Sequence, residues 1–422
     1  MSIHPLLPRP TALAGALLAA VCTLSPESAQ ADAVTEWNDI AERAVQVGSP
    51  PPVQFRILAI AQIAVHDALN AVAPRYETYT AQPPAAAGAS PEAAAIAASH
   101  RALSQLLPGQ AAALQLKYDH RIAELPACPA ASPNCIADGV AAGTRAANDI
   151  LALRTGDGSA TPHLPYTMAA GPGIYQLTPP TLAAPAFAGW ARVTPFALNS
   201  ASQFRAGPSE LLNLSSDTYT REFNEVKVLG SAAVRGANPD SYKSKVARYW
   251  AGGGANWNSA TRVIVAGRGL DLWQHARLFA LLNMAISDGL VTVFETKYHY
   301  NFWRPVTAIR QADSDGNSAT AADPNWLPYI GSPPYPDYTS GLCTVTGAAT
   351  EILRRTFKTD LIVFSHTAAG IPRDFVSLSH AESDAVDARV FAGIHFRTAD
   401  RLGIVHGGQV GRFVFQHQLK PL

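Results

Sequence analysis

Three short segments in the last third of the chain carry side chains suited to holding a small anion. They are KYHYNFWRP, PDYTSGLC and ARVFAGIHF, and their candidate residues are Lys297, Arg304, Ser340, Gly341, Arg389 and His395. Guanidinium groups match the oxygens of a tetrahedral oxyanion such as phosphate or vanadate, and an ammonium adds a point charge. A hydroxyl and a backbone amide can donate to the same oxygens, and an imidazole can bond the central atom. The pattern therefore predicts one oxyanion site built from all three segments.

The first segment places Lys297 and Arg304 seven residues apart. A helix running through both would put them on one face, about 10 Å apart along its axis. Pro305 is expected to end or kink this helix after Arg304. Ordinary solvated charges are the alternative. The surrounding aromatic residues instead favour a buried element, in which the two cations need a counter-anion.

The second segment places Ser340 and Gly341 between a proline-rich loop and a helical run at 342–356. Ser340 is therefore expected near a helix N-cap, where free backbone N–H groups bind anions. A plain helix cap is the alternative, and the position between two cationic segments favours the anion site.

The third segment has Arg389 and His395 six residues apart, which on an unbroken helix would put them about 120° away from a common face. Gly393 between them offers a break, so that Arg389 would end one helix and His395 begin the next segment. A structural histidine beside apolar residues is the alternative. Together with the arginine, the histidine is better interpreted as a ligand or a nucleophile.

The rest of the chain is expected to position these residues with helices. Apolar residues recur at helical spacing and no sustained strand alternation is found, so the predicted class is all-α, built from packed four-helix-type bundles. A proline- and glycine-rich stretch at 156–198 is expected to be irregular, either as a functional lid or as a surface wrap. The predicted helices lie at 33–73, 91–125, 136–154, 216–234, 260–294 and 342–356.

The composition fits a large folded domain. The 422 residues are 48% hydrophobic and 15% charged, and Lys+Arg and Asp+Glu both number 32. This balance gives no case for binding nucleic acid or an anionic membrane surface, so the anion site must be a local cluster. We expect one domain over 32–422, with the oxyanion-binding half from about residue 205. No later apolar run of membrane length is found, and the oligomeric state is left open.

The N-terminus predicts export to the periplasm or the medium. Residues 1–31 read as a signal peptide, with Arg9, an apolar run at 11–24 and an A-x-A site before Asp32. In an oxidising compartment Cys128 and Cys135 are expected to form a local disulfide, with two separate thiols as the alternative.

The three segments resemble a known signature. The pattern K-x6-RP, then SG, then R-x5-H is similar to that of vanadium-dependent haloperoxidases and type 2 phosphatidic acid phosphatases. The longer segments, together with HDALNAV, GPGIYQLTPP and EVKVLG, resemble the secreted bacterial haloperoxidase-like branch over nearly all of the chain after the signal.

The resemblance implies a role for each residue. Lys297, Arg304 and Arg389 would hydrogen-bond the oxygens of vanadate, as would Ser340 and the amide of Gly341. His395 would bond the vanadium, or in the phosphatase branch attack phosphorus, so phosphate can occupy the same site. The peroxidase reaction would oxidise a halide with hydrogen peroxide, with Lys297 polarising the peroxide and the metal acting as a Lewis acid. His395 and Lys297 are thus the implied catalytic residues.

One position departs from the family, which usually has a histidine directly after Ser-Gly. Leu342 stands there and cannot act as an acid or a base, and loss of such a group typically lowers the rate by roughly 10²- to 10⁴-fold. Candidate replacements are His299, His366, Asp337 and Cys343.

Three functions therefore remain open. The first is a haloperoxidase with weak or altered activity. The others are an acid phosphatase with a phospho-His395 intermediate, hydrolysing a phosphate ester, and a non-catalytic oxyanion-binding protein. The resemblance also implies a carboxylate that orients Arg389, for which Asp288 and Glu225 are candidates.

Overall fold

The structure is a computed structural model that describes residues 32–161, 163–167, 170–252 and 256–422. These residues are predominantly helical, which confirms the all-α prediction, while the predicted signal peptide at 1–31 lies outside the described residues. The helices of the first part are α1 (Ala33–Gln46), α2 (Pro51–Val72), α3 (Pro91–Leu106), α4 (Ala111–Ala123) and α5 (Cys135–Leu153).

The second part adds nine α-helices and one small hairpin over the described residues. They are α6 (Asp217–Leu229), α7 (Ala232–Gly236), α8 (Tyr242–Tyr249), α9 (Asn256–Val265), α10 (Leu272–Tyr300), α11 (Pro305–Arg310), α12 (Gly341–Phe357), β1 (Phe364–Ala368), β2 (Ile371–Phe375), α13 (Leu378–Ala392) and α14 (Arg397–His417).

The long helix α10 is the centre of the fold. Asp271 caps its N-terminus in a capping box with Gln274, and almost every residue from His275 to Phe294 is buried. It packs against α2 from the first part of the chain and against α12 and α14 from the second. A helix that is apolar all round needs neighbours on every side, so α10 joins the two groups of helices.

Helices α2 and α10 are also the two described helices long and apolar enough to cross a membrane. In each, 94% of the apolar 18-residue window is buried inside the fold. Packing in the protein core accounts for their composition.

Helices α12 and α14 approach each other unusually closely, because glycines line their contact. A Cβ atom added to Gly407 would lie 1.9 Å from the backbone oxygen of Thr344, and one added to Gly347 would lie 2.2 Å from that of Ile404. Only glycine leaves room for such an approach. This packing fixes the N-terminus of α12, which carries Ser340 and Gly341, against the start of α14, which follows His395.

The irregular stretch at 156–198 is tied to α10 by a buried carboxylate. Asp288 accepts backbone N–H groups from Phe196, Ala197 and Leu198 at 2.6, 2.8 and 3.1 Å. Burial raises the pKa of Asp288, and this effect outweighs the opposing effect of the three hydrogen bonds, so that the pKa is about 6. The described part of the stretch is an ordered wrap over the helices.

The small hairpin of β1 and β2 was not expected from the sequence. The strands pair antiparallel from Phe364↔Phe375 to Ala368↔Ile371, around a turn at Ala369 and Gly370 with positive φ at both residues. Each strand has five residues, too few for a clear alternating pattern. The turn conformation is one that favours glycine and matches the twist of a hairpin.

Cys128 and Cys135 form a disulfide bond, as predicted, and it closes the loop before α5. Cys343 is free and buried.

Candidate oxyanion site

The first segment forms its site across a helix end. Helix α10 stops at Tyr300 because Asn301 adopts a left-handed conformation with φ 53°, which Asn tolerates better than most residues. Lys297 therefore lies in the last turn of α10, while Arg304 is the N-cap of α11 with Pro305 at its first position. The prediction of one helix through both residues is wrong. The turn after Tyr300 still brings both side chains into the same buried region.

Both cations are fully buried and are held by the loop before α12. Lys297 Nζ donates to the backbone oxygens of Pro336 and Asp337, each at 2.9 Å, and Arg304 Nε donates to that of Tyr335 at 2.7 Å. Their exposed fraction is 0%. They are therefore not ordinary solvated surface charges.

Ser340 is the N-cap of α12, as predicted, but its hydroxyl does not cap the helix. Its backbone N–H donates to the oxygen of Ala399 at 3.0 Å. Its Oγ is buried without a hydrogen-bond partner among the described residues. A Cβ atom added to Gly341 would meet nothing within 4 Å, so there is open space beside this residue. The plain-cap interpretation does not account for this free hydroxyl.

The third segment turns at Gly393, as predicted. Helix α13 ends at Ala392, Gly393 has φ 79°, and a Cβ atom there would lie 2.4 Å from the backbone oxygen of Gly230. His395 follows in the turn before α14. Arg304 Nη1 donates to the backbone oxygen of Ile394 at 2.7 Å, which links the first segment to the third.

His395 lies between a carboxylate and a guanidinium. Its Nδ1 is 2.6 Å from Asp337 Oδ1, and its Nε2 is 3.1 Å from Arg304 Nη1. The first is a close contact rather than a well-directed hydrogen bond, since neither carboxylate oxygen of Asp337 has a hydrogen-bond partner among the described residues. These neighbours favour the tautomer with the proton on Nδ1 and the lone pair on Nε2, where it faces Arg304 Nη1. An electrophile that bonds Nε2 would replace this contact with Arg304.

The basic groups of the site disfavour one another's charge. Burial, and then the charges of Arg304, Lys297 and Arg389, hold the pKa of His395 well below its usual range. Burial and then Arg304 likewise hold the pKa of Lys297 well below its usual range, and burial lowers the pKa of Arg389. A bound anion would relieve this repulsion.

Asp400, which the sequence analysis missed, is the carboxylate whose charge most favours the charged form of Arg389. Its charge opposes the lowering of the Arg389 pKa, and burial raises the pKa of Asp400 itself well above the usual range. The two predicted partners are wrong. Asp288 binds the backbone at 196–198, and Glu225 pairs with Arg397 at 2.8 Å. Asp400 lies in the first turn of α14, five residues after His395, and this proximity was the available signal.

Asp400 also faces Ser340, which lowers the pKa of its carboxyl group. This contact lacks good hydrogen-bond geometry, since the Ser340 Oγ and Asp400 Oδ2 atoms are both unpartnered among the described residues. The hydroxyl therefore stays available to a ligand.

The structure separates the four candidates for the missing acid. His299 is exposed, and His366 lies on β1 with its Nδ1 2.8 Å from the Tyr249 hydroxyl. Neither is brought to the site. Cys343 is fully buried, 3.5 Å from an Asp400 oxygen. Asp337 contacts His395, and burial raises its pKa to about 7 against the opposing charges of Arg304 and Lys297.

A cavity of about 260 Å³ opens beside these groups. Three of its lining residues, Lys297, Gly341 and Arg389, belong to the predicted site. Each comes from a different one of the three segments, so all three segments meet at this cavity. The remaining lining is apolar or aromatic and consists of Pro51, Pro52, Phe187, Leu290, Phe294, Pro333, Pro334, Tyr335 and Leu342.

The six predicted residues, here called the oxyanion clamp, contain donors that the protein does not satisfy. Arg304 Nη2, Arg389 Nε and Ser340 Oγ are buried and have no hydrogen-bond partner among the described residues. Buried polar groups are nearly always paired, so these three donors call for an acceptor from outside the chain. An oxyanion with several oxygens fits this donor set, and the lone pair of His395 Nε2 fits its central atom.

Comparison with known proteins agrees with this arrangement. Residues 277–422 match the family described as the VCPO second helical-bundle domain. The vanadium chloroperoxidase of Curvularia inaequalis is 27% identical over 154 residues, a match that covers 30% of this chain and 24% of that protein. The chain thus matches about a quarter of the length of this curated relative.

Solved structures extend the likeness to most of the chain. A bacterial vanadium-dependent iodoperoxidase superimposes with a TM-score of 0.78 at 25% identity, covering 92% of this chain and 97% of its own. A holo-type bacterial vanadium-dependent chloroperoxidase has the same fold, with a TM-score of 0.68 at 17% identity and 93% coverage of each chain. The chain is therefore similar in fold to bacterial vanadium haloperoxidases, and its residues 277–422 match the second helical-bundle domain of that family.

Proposed function

We propose that the oxyanion clamp binds vanadate and that the protein is a haloperoxidase that oxidises a halide with hydrogen peroxide. The three unpartnered donors Arg304 Nη2, Arg389 Nε and Ser340 Oγ carry this proposal. Bound vanadate would supply a Lewis-acid centre at which peroxide is activated.

Each clamp residue has a task that follows from its position. Arg304, Arg389 and Lys297 bind and orient the anion's oxygens through positive charge, and Ser340 and the Gly341 amide donate neutral hydrogen bonds. His395 presents its Nε2 lone pair, with Nδ1 facing Asp337. Leu342 is apolar and 5% exposed, so it offers no proton at this position, and slow turnover is expected.

The test measures binding and turnover on the same purified protein. Wild type equilibrated with orthovanadate should retain about one vanadium per chain after gel filtration, and should brominate or iodinate an indicator when halide and peroxide are added. Arg389→Lys keeps a positive charge but loses the planar donor fork, so we expect weaker vanadium retention. Arg401→Lys, at an exposed position on α14, is the matched control and should behave as wild type.

Each result has a distinct meaning. If wild type retains no vanadium, the cofactor proposal fails. Retained vanadium without halogenation for any halide would reject the peroxidase and support the non-catalytic oxyanion-binding alternative.

Acid phosphatase activity is a second candidate, favoured by the contact between His395 and Asp337. A carboxylate beside Nδ1 orients the imidazole and leaves Nε2 to attack phosphorus, with the leaving alcohol departing and water later releasing phosphate from His395. The clamp would hold the phosphoryl oxygens. Hydrolysis of p-nitrophenyl phosphate that is inhibited by vanadate and lost in His395→Ala would support this function. Hydrolysis that persists in His395→Ala would reject it.

We also propose that the protein is exported to the periplasm or the medium. The Cys128–Cys135 disulfide supports this, because such bonds persist in oxidising compartments. Fractionation of cells that express the full chain tests it, and a product found entirely in the reducing cytoplasm would reject it.

A further inference from the structure

We propose that the cavity beside the clamp binds the organic substrate as a single aromatic ring. This rests on the proposed function for its purpose, since the ring would be the acceptor of the oxidised halogen or the aryl part of a phosphate ester. The shared chemistry is a small aromatic ring placed next to the oxyanion. The binding itself is a property of the cavity and is tested separately.

A row of three rings forms one part of the cavity lining. The ring centroids of Phe187 and Phe294 are 5.2 Å apart at 54°, and those of Phe294 and Tyr335 are 5.1 Å apart at 82°. Tilted and edge-to-face arrangements of this kind are the favoured ones for aromatic pairs, and a bound ring can extend the row in the same way. Leu290 and Leu342, each 5% exposed, add aliphatic surface.

The size of the cavity limits what it can hold. A cavity of about 150 Å³ lined by Leu, Ile and Phe side chains can bind benzene, and pockets for larger drug-sized ligands are usually about 300–1,000 Å³. At about 260 Å³, this cavity has room for one ring with small substituents. Lys297, Gly341 and Arg389 belong both to this lining and to the clamp, so a bound oxyanion fills part of the space. With the anion in place, a fused bicyclic compound or a long chain would overfill the cavity.

The polar end of the cavity determines how such a ring would lie. Lys297 and Arg389 are buried in the lining, whereas Pro51 is exposed, so the cationic end is the closed end. Tyr335 joins the two parts, because its ring lies 5.2 Å from Lys297 Nζ and 5.0 Å from Arg304 Cζ. A phenolic hydroxyl or an aryl phosphate would point toward these cations, with the ring against the apolar lining.

This placement also gives Leu342 a positive role. It follows Gly341 directly and lines the cavity together with Gly341 and Arg389, so it lies where the clamp meets the apolar lining. An apolar side chain there contacts a ring without a desolvation cost, whereas a buried polar side chain would need its own hydrogen-bond partner. The departure from the family pattern therefore extends the surface that holds the substrate.

Phenol is the probe, and its binding is measured by equilibrium dialysis on the folded chain, with and without orthovanadate. With orthovanadate present, we expect saturable binding of phenol, weaker binding of cyclohexanol and no saturable binding of 1-naphthol. Leu290→Trp should fill the cavity and weaken phenol binding by about tenfold or more, while the volume-conserving Leu290→Met should bind phenol nearly as wild type. Neither change is expected to alter vanadium retention.

The outcomes separate this inference from the proposed function. Non-saturable phenol binding overturns the ring site even if vanadium is retained, and so do equal affinities for phenol and 1-naphthol in protein that retains vanadium. Saturable phenol binding in protein that retains no vanadium supports the ring site and rejects the cofactor. If Leu290→Trp does not fold, as judged by its far-UV circular dichroism, the size series on wild type alone still decides.

Discussion

At the residue scale, the clamp was predictable because charge and order along the chain are visible in the sequence. Lys297, Arg389 and His395 stand out as cations or ligands in apolar surroundings, and buried cations need an anion. The partner of Arg389 was not predictable in the same way. The sequence offers several carboxylates as candidates and does not say which of them lies near Arg389. The structure shows that the charge of Asp400 affects the pKa of Arg389, whereas Asp288 accepts from the backbone of Ala197 and Glu225 pairs with Arg397.

Leu342→His is the sharpest residue-scale prediction. An imidazole at this position, next to Gly341 in the cavity lining, supplies the acid/base group that leucine cannot. We expect the rate of iodide oxidation to rise by roughly 10²- to 10⁴-fold if the clamp already binds vanadate. Triiodide formation without any organic acceptor is the measurement, so that an altered ring site does not affect the result.

The control is Leu342→Asn, which is polar but cannot act as an acid or a base near neutral pH. An equal gain in both variants would show that polarity rather than proton transfer is responsible. An unchanged rate in Leu342→His, with vanadium still bound, would favour the non-catalytic alternative.

At the element scale, apolar periodicity located helical regions but not their breaks. The predicted helices at 33–73 and 260–294 each correspond to two helices, α8 and α14 were not predicted, and the short hairpin was missed. The helix expected to continue through Arg304 stops at Tyr300, because Asn301 takes a left-handed conformation that periodicity does not register. Asn is a known helix terminator of this kind, so a signal was present. The close packing of α12 on α14 was not predictable, because it depends on which glycines of one helix face the other.

Gly407→Ala tests this packing. The added methyl group would meet the backbone oxygen of Thr344 at 1.9 Å, so the helices must separate, and we expect a loss of about 1–3 kcal/mol in the free energy of unfolding. Gly408→Ala is the matched control on the same helix, where a Cβ atom meets nothing within 4 Å. It should be neutral or stabilising by up to about 1 kcal/mol. Urea unfolding measures both, and equal effects would contradict the packing argument.

At the scale of the whole molecule, the clamp concentrates buried positive charge in a chain whose net charge is zero. The overall composition does not indicate this local concentration of charge, so the anion site could be inferred only from local clusters of residues. The cost of holding Lys297, Arg304 and Arg389 together without water is a property of the folded state. An anion that binds only the folded state must therefore stabilise it.

Phosphate is expected to stabilise the folded protein in proportion to its occupancy of the clamp. At 100 times its Kd, the gain should be about 2.7 kcal/mol, seen as a rise in Tm that saturates with concentration. Arg389→Lys should need more phosphate for the same rise, and potassium chloride at matched ionic strength should have little effect. An equal rise with chloride would show general screening rather than a specific site.

The lining of the cavity comes from two separate parts of the polypeptide. Pro51, Pro52 and Phe187 lie outside the region that matches the family domain, whereas Lys297, Gly341 and Arg389 lie within it. Substitutions in the first half of the chain can thus change the open end of the cavity while leaving its cationic end unchanged. Chimaeras that exchange this half between relatives should transfer the choice of organic molecule and keep the chemistry of the recipient.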